Sequence, residues 1–334
     1  MIAFEIIILV LSVYSGISCL LLMFPRILFK KKNKLKLPQP PTSLNKYIHA
    51  HRGGGAFEII ESTIESFQHS EKIGVHLVEC DIQMTKDKVL IAFHDDDFLR
   101  TCGLNQRVNQ TNFNDLPHPK SPIPIWFSYG ESYVFTTEIK PQIVSLQQVF
   151  ETLPVTTVVM LELKDSQDPE ARNQLIGLIK RYNRWSTTII GTESSKNNAQ
   201  MVKLCREQLV EVPFFMPQGK VILYFILYIF GMLPFVPINE DVASLPYMSN
   251  QYAWAKWKQE RSFFTLLYIP ITWIMSHLCD PMIRHFNLRG IYTNYYVINE
   301  EDDIKIVLQT TSIQGIMTDK PTLALNVLKR LNLN

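Results

Sequence analysis

None of the five cysteines (Cys19, Cys80, Cys102, Cys205, Cys279) stands in a Cys-x-x-Cys pair, and their number is odd. That pattern argues against a disulfide framework and against a zinc site. Net charge is nearly absent: 33 Lys and Arg face 31 Asp and Glu, leaving +2. No basic excess calls for nucleic acid as a partner. No Gly-x-Gly-x-x-Gly follows a β-like run, so the usual dinucleotide phosphate loop is missing. Apolar residues are not scarce: they make up 46% of the 334 positions, ample for one large domain or two ordinary ones.

Charge is also missing from Ile6 to Phe24. At about 1.5 Å per residue this run is roughly 28 Å long, close to the thickness of a bilayer core. Arg26, Lys30, Lys31, Lys32, Lys34 and Lys36 follow it with no acid among them. A cleaved signal peptide carries its cations before a shorter apolar core, so an uncleaved anchor fits better. The cation cluster is expected to stay cytoplasmic, beside anionic lipid, and to keep the rest of the chain on that side. An internal membrane such as the endoplasmic reticulum is the expected place. Asn109-Gln110-Thr111 is a glycosylation acceptor and points to the lumen instead, but such tripeptides are common by chance. Residues 1–36 thus read as anchor and basic flank, 37–45 as a proline-rich linker and 46–334 as the globular part.

From there β-like runs alternate with helical patterns. Expected strands are 47–50, 76–83, 89–94, 155–164, 187–190, 211–215, 291–297 and 313–318. Expected helices are 60–73, 145–153, 170–182, 195–207, 301–310 and 322–331. Alternation over this length predicts a parallel sheet and favours an α/β (β/α)₈ TIM barrel, with a doubly wound open sheet as the competitor. Catalytic groups of such barrels collect at the C-terminal ends of strands, and His51, Glu79, Asp81, Glu162 and Asp319 fall at or near such ends.

The residues there carry chemistry. Glu79 and Asp81 alternate on one strand, so they share a face. Their apolar neighbours Val75, Leu77 and Val78 argue for a buried strand, where unpaired carboxylates are costly. Oxygen ligands suit a hard divalent cation. His51 and His94 can move protons at neutral pH, and Arg52 can fork onto a phosphate. The set reads as metal-assisted cleavage of a phosphate ester. Glu162 and Lys164 share a face, so Glu162 is either a further ligand or the partner of a structural ion pair. Asp319, just before Pro321, is expected to cap the last helix.

In order, His51-Arg52-Gly53 with Glu61-Ser62-Thr63, Glu79-Cys80-Asp81, His94-Asp95, Glu162-Leu163-Lys164 and Gly315-Ile316-Met317-Thr318-Asp319 resemble the glycerophosphodiester phosphodiesterase family from about residue 46 onward. The anchor and Leu233-Pro234-Phe235-Val236-Pro237-Ile238 are similar to its small membrane-bound members, which act as lysophospholipase D. The resemblance implies a TIM barrel with a segment inserted after the second strand, and a divalent cation, Mg²⁺ or Ca²⁺. It implies His51 and His94 as the acid/base pair, and Glu61, Glu79, Asp81 and Glu162 as metal ligands. Arg52 and Lys164 would face the phosphate. Three departures stand out. The stretch after His51 is one residue longer than usual, which lets Glu58 compete with Glu61. Ser62 replaces the usual Asn. Tyr296 stands where a Trp usually walls the pocket.

Two further apolar stretches, 221–238 and 263–279, are long enough to span a membrane. Pro234, Pro237 and Pro270 interrupt them, and Tyr224, Tyr228, Tyr268 and Trp273 suit a lipid interface. They are expected to dip the barrel rim into one leaflet, so that a single-chain lipid slides into the pocket; a protein partner or dimer is the alternative. The expected activity is hydrolysis of lysoglycerophospholipids to lysophosphatidic acid and a free head-group alcohol. Hydrolysis of soluble glycerophosphodiesters to glycerol 3-phosphate, or a catalytically silent lipid-binding barrel, are the other readings.

Overall fold

The strands among the described residues are short, and those of the main sheet are covered on both faces. They are β1 (Tyr47–Ala50), β2 (Leu77–Met84), β3 (Leu90–Ala92), β4 (Ile123–Pro124), β5 (Ser132–Tyr133), β6 (Val158–Leu163), β7 (Thr188–Gly191), β8 (Val242–Pro246), β9 (Tyr292–Tyr296) and β10 (Gly315–Thr318). The computed structural model describes residues 2–29, 35, 37, 44–126, 128, 130–136 and 140–333. Lys30, Lys31, Lys32, Lys34 and Lys36 and the prolines of segment 38–43 lie outside the described residues, and with them most of the expected basic flank and linker.

The strands run parallel in the order β7-β6-β2-β1-β10-β9-β8. The expected strand over 211–215 contracts to two parallel bridges, Ile190 with Phe214 and Phe215 with Val242. Phe215 N donates to Ile190 O at 3.1 Å and Met216 N to Val242 O at 2.8 Å. These bonds join β7 to β8 and close a (β/α)₈ barrel. β3 does not belong to the ring; it pairs antiparallel with β2 and carries the chain to His94. β4 and β5 form a small hairpin in the segment inserted after β3. β8 has no counterpart among the expected strands. Its five residues, Val-Ala-Ser-Leu-Pro, carry a weak apolar signal and a terminal proline.

The helices are α1 (Ile2–Met23), α2 (Ile64–Ile73), α3 (Leu99–Cys102), α4 (Leu146–Thr152), α5 (Pro169–Arg181), α6 (Ser195–Glu207), α7 (Gln218–Ile229), α8 (Asn250–Gln259), α9 (Phe263–Leu278), α10 (Asp280–Leu288), α11 (Glu301–Thr310) and α12 (Pro321–Asn332). Local chemistry sets several ends. Thr63 and Ser66 form a reciprocal capping box on α2, as Ser145 and Gln148 do on α4, satisfying amides that the first turn leaves unpaired. Leu77, Val158, Met160, Ile189, Phe215, Val242, Tyr292 and Met317 pack together as one buried cluster. Two larger clusters pack the helices onto the sheet.

α1 is the one helix among the described residues that is long and apolar enough to cross a membrane, over Ala3–Met23. It rests on the turn after α7: Tyr14 donates to Phe230 O at 2.5 Å and Ser18 to Gly231 O at 2.6 Å. The two other apolar stretches resolve into shorter pieces. α7 has 12 residues, and α9 bends by 62° into α10. α9 is reversed in polarity. Thr265, Thr272, Met275 and Ser276 are its buried residues, while Phe263, Phe264, Leu266, Leu267, Ile271, Ile274 and Leu278 are exposed. A helix in water turns its apolar stripe inward.

Candidate active site

The site begins where β1 ends. His51-Arg52-Gly53 turns as a short 3-10 segment, with Arg52 in the left-handed region at φ 50°. This turn sets His51 beside the end of β10. His51 Nδ1 lies 2.7 Å from Asp319 Oδ1. Asn299 donates to Asp319 Oδ2 at 3.0 Å and accepts from the Asp319 amide at 2.8 Å, so the carboxylate is held on both sides. Burial alone would push the His51 imidazole down, but the adjoining Asp319 carboxylate raises its pKa. Burial also opposes ionisation of Asp319, which His51 holds below its ordinary value. With Nδ1 engaged, proton transfer at His51 runs through Nε2, which lies 3.9 Å from Glu79 Oε2.

Asp319 therefore does not cap the last helix as expected. Lys320 occupies that position without a side-chain cap bond, and Glu58 supplies the acceptors instead. Its carboxylate takes the Thr322 amide at 2.8 Å and the Thr322 hydroxyl at 2.6 Å, an anion at a helix N-terminus. His69 lies 2.8 Å from the same group.

His94 forms a second dyad. Its Nδ1 lies 2.7 Å from Asp95 Oδ1, and Gln83 braces the loop by donating to His94 O at 3.1 Å. Burial lowers the His94 pKa, and its carboxylate neighbours do not make up the loss. Arg100 fixes Asp95, donating Nε to Oδ2 at 2.6 Å. The same guanidinium grips Glu61 at 2.6 and 2.9 Å. Arg52 adds a bond to Glu61 at 3.0 Å. Burial opposes the Glu61 charge, yet the two guanidiniums hold its carboxyl far below the usual range. Arg100 and Asn299 are absent from the sequence reading. Each acts through a neighbour distant in sequence, and neither spacing carries a signal.

The expected site residues divide into two groups. His51, Glu79, Asp81, His94, Glu162, Lys164 and Tyr296 line one cavity of about 660 Å³. Arg52, Glu61 and Glu58 are not among its lining residues. Arg52 is 1% exposed; its amide donates to Glu79 at 2.9 Å and its Nε lies 3.7 Å from Asp81. It orders the carboxylates from behind rather than facing the cavity. Ser62, where the family usually has Asn, sits at φ 57°. Asn tolerates that left-handed conformation better than Ser does.

Within the cavity Lys164 is the centre of charge. Its ammonium lies 3.1 Å from Asp81, 3.2 Å from Glu162 and 3.1 Å from Glu193. Asp81 and Glu162 are register partners on β2 and β6. Among the described residues no three His, Cys, Asp or Glu side chains are disposed to hold a metal ion between them. The donor chemistry nonetheless suits a hard cation. Asp81 Oδ2 is buried without a hydrogen-bond partner. Burial, and next the charge of Asp81, raises the Glu79 pKa; burial also raises that of Glu162. Burial also opposes the Asp81 charge, but Lys164 holds that carboxyl below its ordinary range, so Glu79 and Glu162 are the carboxylates whose charged form a cation would favour most.

The cavity wall is aromatic: Trp126, Phe215, Tyr252, Phe264, Tyr268 and Tyr296 surround the charged floor. Two histidine–aspartate dyads thus stand with three carboxylates and a lysine at the C-terminal mouth of the barrel. The family model described as "Glycerophosphoryl diester phosphodiesterase family" matches residues 51–323.

The chain belongs to the glycerophosphoryl diester phosphodiesterase family. Like the family, it is a phosphoric diester hydrolase. It is 30% identical over 314 residues to lysophospholipase D GDPD1 of Homo sapiens, covering 92% of each chain. It is 32% identical over 276 residues to lysophospholipase D GDPD3 of Mus musculus, covering 82% of this chain and 79% of the relative. Its fold matches the crystal structure of a glycerophosphodiester phosphodiesterase from Agrobacterium tumefaciens with a TM-score of 0.58 at 15% identity, over 84% of this chain and 99% of the other. Enzymes of this family generally depend on a divalent cation.

One glycine holds the family's loop in place. Gly55 has φ +85°, and a Cβ there would meet Asp319 O and the Pro321 ring at 2.5 Å. Gly55→Ala is expected to cost roughly 1–2 kcal/mol from the left-handed conformation alone, more with the clash. Thermal unfolding should show a Tm lower by several degrees. An unchanged Tm would mean that the loop relaxes freely.

Proposed function

We propose that this chain is a membrane-anchored lysophospholipase D. It hydrolyses a lysoglycerophospholipid on the head-group side of phosphorus, giving lysophosphatidic acid and a free alcohol such as choline or ethanolamine. The observation that carries this reading is continuity. Phe264 lines the cavity above His51 and His94 and is also 77% exposed, on the apolar outer face of α9. A lipid tail can stay on apolar surface from that face to the phosphate site.

The two histidines divide the proton work by their opposite shifts. His94, kept neutral, takes a proton from the attacking hydroxyl: that of water, or that of the glycerol, in which case water then opens the cyclic phosphate formed to give lysophosphatidic acid. His51, kept protonated by Asp319, gives one to the departing alkoxide as the P–O bond breaks. Lys164 neutralises a phosphoryl oxygen, and Tyr296 walls the pocket. Glu79, Asp81 and Glu162 would hold Mg²⁺ or Ca²⁺, which when bound would withdraw charge from the phosphoryl oxygens. The relatives named above support the lipid substrate, and α1 with the reversed α9 supports membrane attachment. We place the anchor in an internal membrane, and the basic flank supports the barrel on its cytoplasmic side. Attachment of a glycan at Asn109 would overturn that orientation.

The test is release of choline from lysophosphatidylcholine micelles by the full chain, beside release from glycerophosphocholine. Release from the lipid that falls with a chelator and returns with Mg²⁺ or Ca²⁺ is the expected result. Release from the soluble diester alone would reduce the reading to a soluble-substrate phosphodiesterase. No release with any divalent cation would leave a silent barrel.

A further inference from the structure

Lys256, Glu260 and Tyr268 belong to the cavity wall but take no part in the chemistry at its floor. The Lys256 ammonium lies 2.8 Å from Glu260 Oε2. It also sits over the Tyr268 ring, 5.5 Å from its centre. Phe264 stacks on Tyr268 at 6.4 Å, and Tyr252 lines the same wall. An aromatic face beside a carboxylate is how proteins hold ammonium groups, quaternary ones included. Here a side chain of the same molecule occupies that arrangement.

The placement of Lys256 differs from that of an ordinary surface lysine. α8 has no buried residue, yet the Lys256 side chain is only 15% exposed. A lysine on an exposed helix normally extends its strongly hydrated ammonium into water. This one turns into the cavity mouth.

We propose that Lys256 is a head-group specificity residue: its ammonium competes with that of a choline- or ethanolamine-bearing substrate for the Tyr268 face and the Glu260 carboxylate. The inference rests on the lysophospholipase D reading above. In such a lysolipid the head group carries the only cation, so the Lys256–Glu260–Tyr268 arrangement addresses the head group, while Phe264 beside it leads out to the acyl path. A glycerol head group carries no charge and does not contend with Lys256. The native chain therefore discriminates against cationic head groups more than the same wall without the lysine would.

The experiment uses the full chain in detergent micelles and two substrates of equal acyl chain, lysophosphatidylcholine and lysophosphatidylglycerol. Lys256→Met keeps much of the apolar stem and removes the charge. It is expected to raise the ratio of kcat/KM for the choline over the glycerol lipid by about tenfold, mainly through a lower KM for choline. Lys256→Gln should move the ratio in the same direction. Adding Tyr268→Leu to Lys256→Met should return it. An unchanged ratio in both lysine variants would overturn the proposal and leave the Lys–Glu pair structural. An equal loss on both lipids would also overturn it, because Lys256 would then serve the phosphate that the two share. If the native chain hydrolyses neither lipid, the lysophospholipase D reading fails first and takes this inference with it.

Discussion

His51→Ala is expected to lower kcat by about 10³- to 10⁴-fold on any phosphodiester the enzyme accepts, the upper part of what one general acid contributes. Position gives His51 this weight. His51 is 2.7 Å from a buried aspartate and lines the cavity, so removing the imidazole leaves the departing alkoxide without a proton donor. An alcohol of low pKa needs less help in leaving. A p-nitrophenyl diester should therefore lose much less activity than a choline ester in the same variant. Single-turnover measurement of the two leaving groups checks this. Equal losses would make His51 a binding residue, and no loss on either would return the silent-barrel reading.

Asp319→Asn is expected to lower kcat by about 100-fold, the scale at which partners of functional histidines and metal ligands act. It should also move the pH profile. The protonated His51 is the working form, so activity falls as pH rises through its pKa. Asp319 is the main cause raising that pKa against burial. Without the carboxylate the pKa drops, and the alkaline limb shifts to lower pH. The acid limb belongs to His94, which must be neutral and whose pKa burial depresses. Its position should not move, because His94 is held by Asp95. A kcat/KM profile over pH 5 to 9 separates the limbs. Asp319→Glu keeps the charge and should recover part of the rate if the role is to orient and charge His51. A lower rate with both limbs fixed would mean that Asp319 only maintains the fold.

The barrel was legible because several of its parallel strands, buried on both faces, print apolar runs broken mainly by site residues such as Glu79, Asp81 and Glu162. Val158 to Leu163 and Leu77 to Met84 are such cases, and both strands form where expected. The segment near Phe214 was legible as apolar, but not as the two bridges that close the ring. β8 was not legible, since its pairing partners, not its own residues, make it a strand. At the site, Glu79 with Asp81 and Glu162 with Lys164 follow from alternation of two residues along a strand. Glu61 shows the limit. The family resemblance placed it among the metal ligands, with Glu58 as competitor, yet Arg52 and Arg100 bond both its oxygens.

By itself the sequence determined the class of chemistry, the apolar N-terminal helix and the barrel, because strand period, apolar run length and residue type are local properties. Only the tertiary structure decided how the charges pair. Asp319 meets His51 across 268 positions and Arg100 meets Glu61 across 39. It likewise decided that α9 turns its hydroxyls inward and its large apolar side chains outward. Electrostatic partners and the facing of a helix depend on what stands within a few ångströms in space, and chain order does not encode that distance.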